Sequence, residues 1–242
     1  MIRTILGVIL LYLLFLLATI PASVLPVVFD KTIPGRIELV GLSGSVWRGR
    51  VERVAFDGLP LANKMEWSLS VLRLLTGRVG IELTMSEGKA NVVANRNQIQ
   101  LRDTRLTVPL AVLGKFVKPV QQYQLNGQGV LAAQHFEWDS GKAQGDLTVE
   151  WHQASSNMVS LPVLGDYQLV ANAGPRGFAG KVTTLSGALQ VNGDGTWSQK
   201  EGLSIRLQLR PEPSQAEVLR PLLSIAGQPA ADGTYHLNTS MK

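Results

Sequence analysis

The chain has 242 residues, no cysteine and a formal net charge of +5, with 24 glycines and 45% hydrophobic residues, enough for a substantial core. The lack of cysteine excludes thiol catalysis, Cys-ligated zinc and iron–sulfur clusters, and it suits an oxidising compartment. A modest charge without a dense basic stripe argues against nucleic acid as a partner; the closest approach to one, Arg48, Arg50 and Arg53, reads as the solvated face of a strand.

Residues 1–3 form a short tip, and residues 4–29 carry no charge until Asp30. A helix rises about 1.5 Å per residue, so this run is long enough for a hydrocarbon core of about 30 Å, and it predicts a transmembrane signal anchor over 4–29. Pro21 and Pro26 mark its expected exit. The alternative is a cleaved signal peptide. Against that, the apolar run 5–20 exceeds the usual h-region of about 7 to 15 residues, and Pro21 falls within the proposed cleavage site. Arg3 before the run, with Asp30 and Lys31 together after it, predicts a cytoplasmic N-terminus in the inner membrane and a periplasmic domain over 30–242.

Next comes the dense segment 41–51, with glycines at 41, 44 and 49 around Trp47. Its spacing predicts a turn leading into a curved strand. Trp47, Gly49 and Val51 share one face and the arginines at 48 and 50 take the other, which predicts Trp47 as a core packing anchor. Period-2 alternation then recurs: Met65, Trp67 and Leu69; Val79, Ile81, Leu83 and Met85; Leu147, Val149 and Trp151; Leu203, Ile205, Leu207 and Leu209. Turn signals lie at Asp57-Gly58, Glu87-Gly88, Asn126-Gly127, 192–195 and Asp232-Gly233. Short helices are expected at 71–76, closed by Gly77, at 109–117, and at 214–226, where Ser214 and Glu217 read as a capping box and Gly227 as the terminator. The predicted fold is mainly β: the N-terminal transmembrane helix, then a curved antiparallel sheet, an open barrel or groove, with a few short helices. The soluble part reads as one domain with a seam near 153–164.

Catalytic signals fail in turn. His135, His152 and His236 have no metal-ligand spacing, so no metal is expected. Gly41-Leu42-Ser43-Gly44-Ser45 lacks the last glycine of a nucleophile elbow. Glu137 and Asp139 lie two apart, which suits solvated strand positions as well as a carboxylate pair. No catalytic residue, no cofactor and no enzyme activity are expected.

Gly44-Ser45-Val46-Trp47-Arg48-Gly49-Arg50 behind an apolar N-terminus, followed by Met65-Glu66-Trp67-Ser68-Leu69, resembles the protein N family of the type II secretion system (GspN). The likeness extends through the chain to 232–237, and similar openings occur among AsmA-like envelope proteins. The resemblance implies a non-enzymatic accessory subunit for export of folded proteins across the outer membrane. Its partners would be other secretion subunits, the secretin or inner-membrane platform proteins. The alternative it implies is a lipid-binding or lipid-transfer module. The candidate structural or interaction residues are Gly44, Trp47, Arg48, Gly49 and Trp67. A scaffold needs a fully packed apolar face, whereas a lipid module needs an open apolar trough; alternation is the same for both.

Overall fold

The apolar N-terminus forms α1 (Ile2–Ala18) in the computed structural model, which describes residues 2–32, 36–113, 124–140, 142–174, 177–198 and 200–241. The helix ends earlier than its hydropathy suggests. The Thr19 hydroxyl and amide both donate back to the carbonyls of Phe15 and Leu16, and Pro21 then leaves the helix to bridge Ser45. A 3₁₀ turn (Ala22–Val24) and α2 (Leu25–Thr32) follow. The expected continuous span over 4–29 is thus broken into three pieces. No helix among the described residues is long and apolar enough to cross a membrane.

The chain divides into two compact units, Met1–Glu87 and Gly88–Lys242; the expected seam at 153–164 lies inside the second. In the first unit β1 (Ile37–Val40), β2 (Ser43–Gly44), β3 (Arg48–Phe56), β4 (Leu59–Leu69) and β5 (Val79–Met85) pair antiparallel, in the order β1–β3–β4–β5 with β2 beside β3. Asp57 and Gly58, both at positive φ, make the tight turn between β3 and β4. The β4–β5 connection is α3 (Val71–Leu75), stopped by Gly77 at φ 70° as its sequence requires. The core of this unit is Val51, Val54 and Ala62, with Ile37, Leu39, Met65 and Trp67 packed on it.

The second unit is an antiparallel meander of β6 (Gly88–Ala94), β7 (Gln98–Pro109), β8 (Leu125–Asp139), β9 (Lys142–Ser156), β10 (Gly165–Gly174), β11 (Gly177–Ser186), β12 (Leu189–Ser198), β13 (Gly202–Pro211) and β14 (Tyr235–Met241), paired in sequence order. Two short helices interrupt it. α4 (Leu110–Leu113) follows β7, and the rest of the helix expected at 109–117 lies outside the described residues. α5 (Ala216–Leu223) lies between two 3₁₀ turns within the expected span 214–226, but without the expected capping box. Gln215 takes the N-cap position with no side-chain bond, and Glu217 pairs with Arg220 one turn on. Two expected turns are strand instead. Asn126-Gly127 lies in β8 at a register shift against β9, and residues 192–195 run through the middle of β12. In both places a bulge or a glycine-tolerant row accommodates residues that usually make turns.

Cross-strand rows show how the second sheet bends. Phe136, Gly145, Ala173 and Phe178 are successive partners across β8, β9, β10 and β11, continued by Trp197 in β12. Strands three places apart lie about 14 Å apart in a flat sheet. The rings of Phe136 and Phe178 nevertheless stack with centroids 6.2 Å apart, so the sheet curls toward this face over its two small residues. Trp138 and Trp197 extend the cluster, at 6.2 Å and 5.7 Å from Phe178.

Candidate functional site

The first unit brings all five sequence-predicted residues to the C-terminal end of α1. The last carbonyls of a helix lack intrahelical donors. Here the Trp47 indole Nε1 donates to Leu17 O at 2.8 Å, and the Val46 amide donates to Ile20 O at 3.0 Å. Gly44 takes φ 93° in the turn that delivers Trp47, and the turn is closed by the Ser45 amide donating to Arg48 O at 2.8 Å. Trp67 lies across β3 over Gly49. A Cβ at Gly49 would sit 2.1 Å from the Trp67 ring, while the Trp67 indole donates to Val46 O at 3.0 Å. Arg48 is exposed and has no ion-pair partner among the described residues.

The predicted core anchor is therefore corrected: Trp67 packs on the core, whereas Trp47 is half-buried and latches α1. Parity along the strand hid this, because Trp47 precedes β3 and takes its direction from the turn. The expected cost of Trp47→Phe is about 1 kcal/mol, one hydrogen bond, and Trp47→Ala should fall well short of the roughly 3 to 5 kcal/mol of a buried aromatic. Hydrogen exchange should show faster exchange at Thr19 and Val46 in both variants, with the amides of β3 and β4 still protected.

The second unit holds an apolar face that pattern alone could not distinguish from packed core. The row Val149, Leu169, Val182, Gly193, Leu207 and Leu237 crosses β9 to β14, and every described member is only half-buried. At one end of this face lies a cavity of about 300 Å³, bordered by Trp151, Tyr167, Val191, Leu209, Leu222 and Ala226. That volume is at the small end of the range for ligand pockets. Its few polar groups are engaged elsewhere: the Trp151 indole donates to Asn126 O at 2.9 Å, and the Tyr167 hydroxyl donates to Leu189 O at 2.9 Å. Burial raises the Tyr167 phenol well above its ordinary range, so it stays neutral. The floor is a fully buried cluster of Ala154, Leu164, Leu189, Leu219 and Leu223. This arrangement can hold hydrocarbon; it supplies neither proton transfer nor a nucleophile.

One titratable cluster stands on the other side of β9. Glu150 accepts from His152 at 3.0 Å, lies 3.6 Å from Arg105 and pairs across the ladder with Gln168. The hydrogen bond from His152, then that from Gln168 and the charge of Arg105, hold the Glu150 carboxyl below its usual range against the opposing effect of burial. Asp166 accepts from Ser186 Oγ at 3.1 Å and sits 3.9 Å from His152 Nδ1. Serine and histidine thus both face the carboxylate and not each other, which is the wrong order for nucleophilic catalysis. Because Glu150 has the lower pKa in the folded chain, its contribution is present above the unfolded pKa of about 4.3 and is lost as pH falls through the folded value. Glu150→Gln should destabilise by about 1 kcal/mol at pH 7 in thermal melts, and the difference should vanish in strong acid.

His135 and His236 stand apart on other strands, and no group of metal-binding side chains occurs among the described residues. Glu137 is bonded by Gln98 and Asp139 by Ser140, so the two carboxylates have separate partners.

No solved structure matches the chain. A curated relative, the type II secretion system protein N of Vibrio cholerae serotype O1, is 23% identical over 85% of this chain and 85% of its own length. The family model described as type II secretion system protein N matches residues 35–238, from just before β1 into β14, and the chain therefore belongs to that family.

Proposed function

We propose that the chain is a non-enzymatic accessory subunit of type II secretion, placed in the inner membrane with its β units in the periplasm. α1 presents Ile5, Leu11, Tyr12 and Phe15 to its surroundings. α1 alone is too short to cross a membrane, so in this reading the uncharged residues up to Phe29 enter the interface with it. In that setting the chain works by holding another component of the secretion machinery. The observation that carries this reading is β14, which pairs only with β13 among the described residues and leaves its other edge open for an added strand.

A second reading, a lipid-binding or lipid-transfer module, is favoured by the cavity. A peptide entering it would bring amide groups that need partners, whereas an acyl chain would bring none. One experiment addresses both: a photo-reactive residue at Asn238 on β14 and at Ala226 on the cavity, irradiated in intact cells. The expected products are an adduct of Asn238 with another secretion subunit and, where lipid fills the cavity, a lipid-mass adduct at Ala226. Capture of no secretion subunit from either position contradicts the accessory role.

A further inference from the structure

We propose that α3 dips into the surface of the membrane in which α1 is embedded, so that the first unit is held at two points with its α3 end against anionic lipid headgroups. This rests on the membrane reading of α1 and adds a second contact to it. Leu72 and Leu75 are 77% and 81% exposed, and Val71, Leu74 and Val79 beside them are exposed as well. Five apolar side chains in nine residues, none of them buried and two almost fully uncovered, form a patch that an apolar neighbour would cover.

The position of α3 says which neighbour. The Trp47 indole holds Leu17 O at the end of α1, and the backbone carbonyl of the same Trp47 accepts the amide of Leu69 at 2.7 Å. Ser70, the next residue, is the N-cap of α3. The Trp47 residue thus links the end of α1, through its indole, to the end of β4 that leads into α3, through its carbonyl. An indole at that level has the character of residues at bilayer interfaces, with an apolar ring and one polar atom.

Charge points the same way. From Ser70 to Gly80 there are two arginines and no carboxylate. Arg73 lays its stem over Gly80, where a Cβ would lie 2.6 Å from Arg73 Cδ, and the Arg78 amide donates to Arg73 O at 2.9 Å, so both sit at the base of the apolar tip. Neither has an ion-pair partner among the described residues. Apolar side chains at the tip, with the Arg73 guanidinium folded back over Gly80 and Arg78 beside it in the chain, match the layering of acyl chains beneath phosphates.

The native chain has no cysteine, so a single introduced thiol is a clean reporter. Leu75→Cys, Tyr12→Cys in α1 and Ser86→Cys at the far end of β5 are each labelled with an environment-sensitive fluorophore. The full chain is then reconstituted in phosphatidylcholine–phosphatidylglycerol vesicles containing doxyl-labelled lipid. The expected result is a blue shift with quenching at 12 and at 75 and neither at 86, the signal at 75 weakening when phosphatidylglycerol is omitted or when Arg73 and Arg78 are both glutamine. Quenching at 12 without quenching at 75 overturns the inference and leaves the membrane reading of α1 standing. A blue shift at 75 without quenching means that protein covers α3, and it overturns the inference equally. No quenching at 12 or 75 removes the membrane reading of α1 and the inference with it.

Discussion

Leu219→Ala is expected to cost the fold about 2 to 5 kcal/mol. Leu219 is fully buried on α5, in the cluster of Ala154, Leu164, Tyr167, Leu189 and Leu223 that closes one end of the apolar face. Truncation removes several methyl and methylene contacts and leaves a void in the middle of a closely packed cluster. For a chain of this size that loss lowers Tm by about 4 to 20 °C. The measurement is a thermal melt of the full chain in detergent, with Glu217→Ala on the exposed side of the same helix as the control; its loss should be within about 0.5 kcal/mol. Equal melts for Leu219→Ala and the native chain would mean that α5 does not close the sheet.

Gly145→Ala should be comparably severe for a different reason. Gly145 has φ 111°, and a Cβ there would lie 2.1 Å from the carbonyl oxygen of His135 on the neighbouring strand, so the backbone itself would have to move. Strain of this kind costs about 1 to 3 kcal/mol before any clash is counted, and the expected total is about 3 kcal/mol or more. The displacement would fall beneath the stacked rings of Phe136 and Phe178, so the near-ultraviolet circular dichroism of the cluster should weaken together with Tm. Gly174→Ala is the matched control, since its Cβ would meet nothing within 4 Å. A Gly145→Ala chain as stable as that control would contradict the observed register of β8 on β9.

The strands were readable where alternation ran unbroken. The expected Val79, Ile81, Leu83 and Met85 form β5, and Leu203 to Leu209 form most of β13, because a half-buried strand must repeat every two residues. Gly77 and Gly227 end α3 and the α5 region at positive φ, where Cβ sterics favour glycine. Other features depend on what lies across the ladder. Asn126-Gly127 and residues 192–195 have turn composition, but their partners in β9, β11 and β13 keep them in strand. The changed role of Trp47 has the same origin, since its latch on Leu17 depends on a distant part of the chain. Trp67 reaches the core because its partner across the ladder is Gly49, and no reading of either tryptophan's own neighbours contains that fact.

The candidate site was half legible. The segment around Trp47 was marked by its glycines and tryptophan, although its contact with Leu17, thirty residues earlier, was not. The apolar cavity was invisible in principle. Alternation reports which face an apolar residue occupies and not whether anything fills the space above it, and half-buried Leu207 in an open trough reads the same as a packed leucine. The row Phe136-Gly145-Ala173-Phe178, which curls the sheet, joins residues from four strands and emerges only once register is known.

The role in type II secretion is tested most directly by removing the chain from a secreting cell and following the enzymes that the cell exports. The expected result is that folded enzymes accumulate in the periplasm and fall in the medium. Export should return with the native chain, and it should not return with a chain whose β14 edge residues His236, Asn238 and Ser240 are all replaced by lysine, provided that variant melts normally. Undiminished export in cells lacking the chain would contradict the role outright.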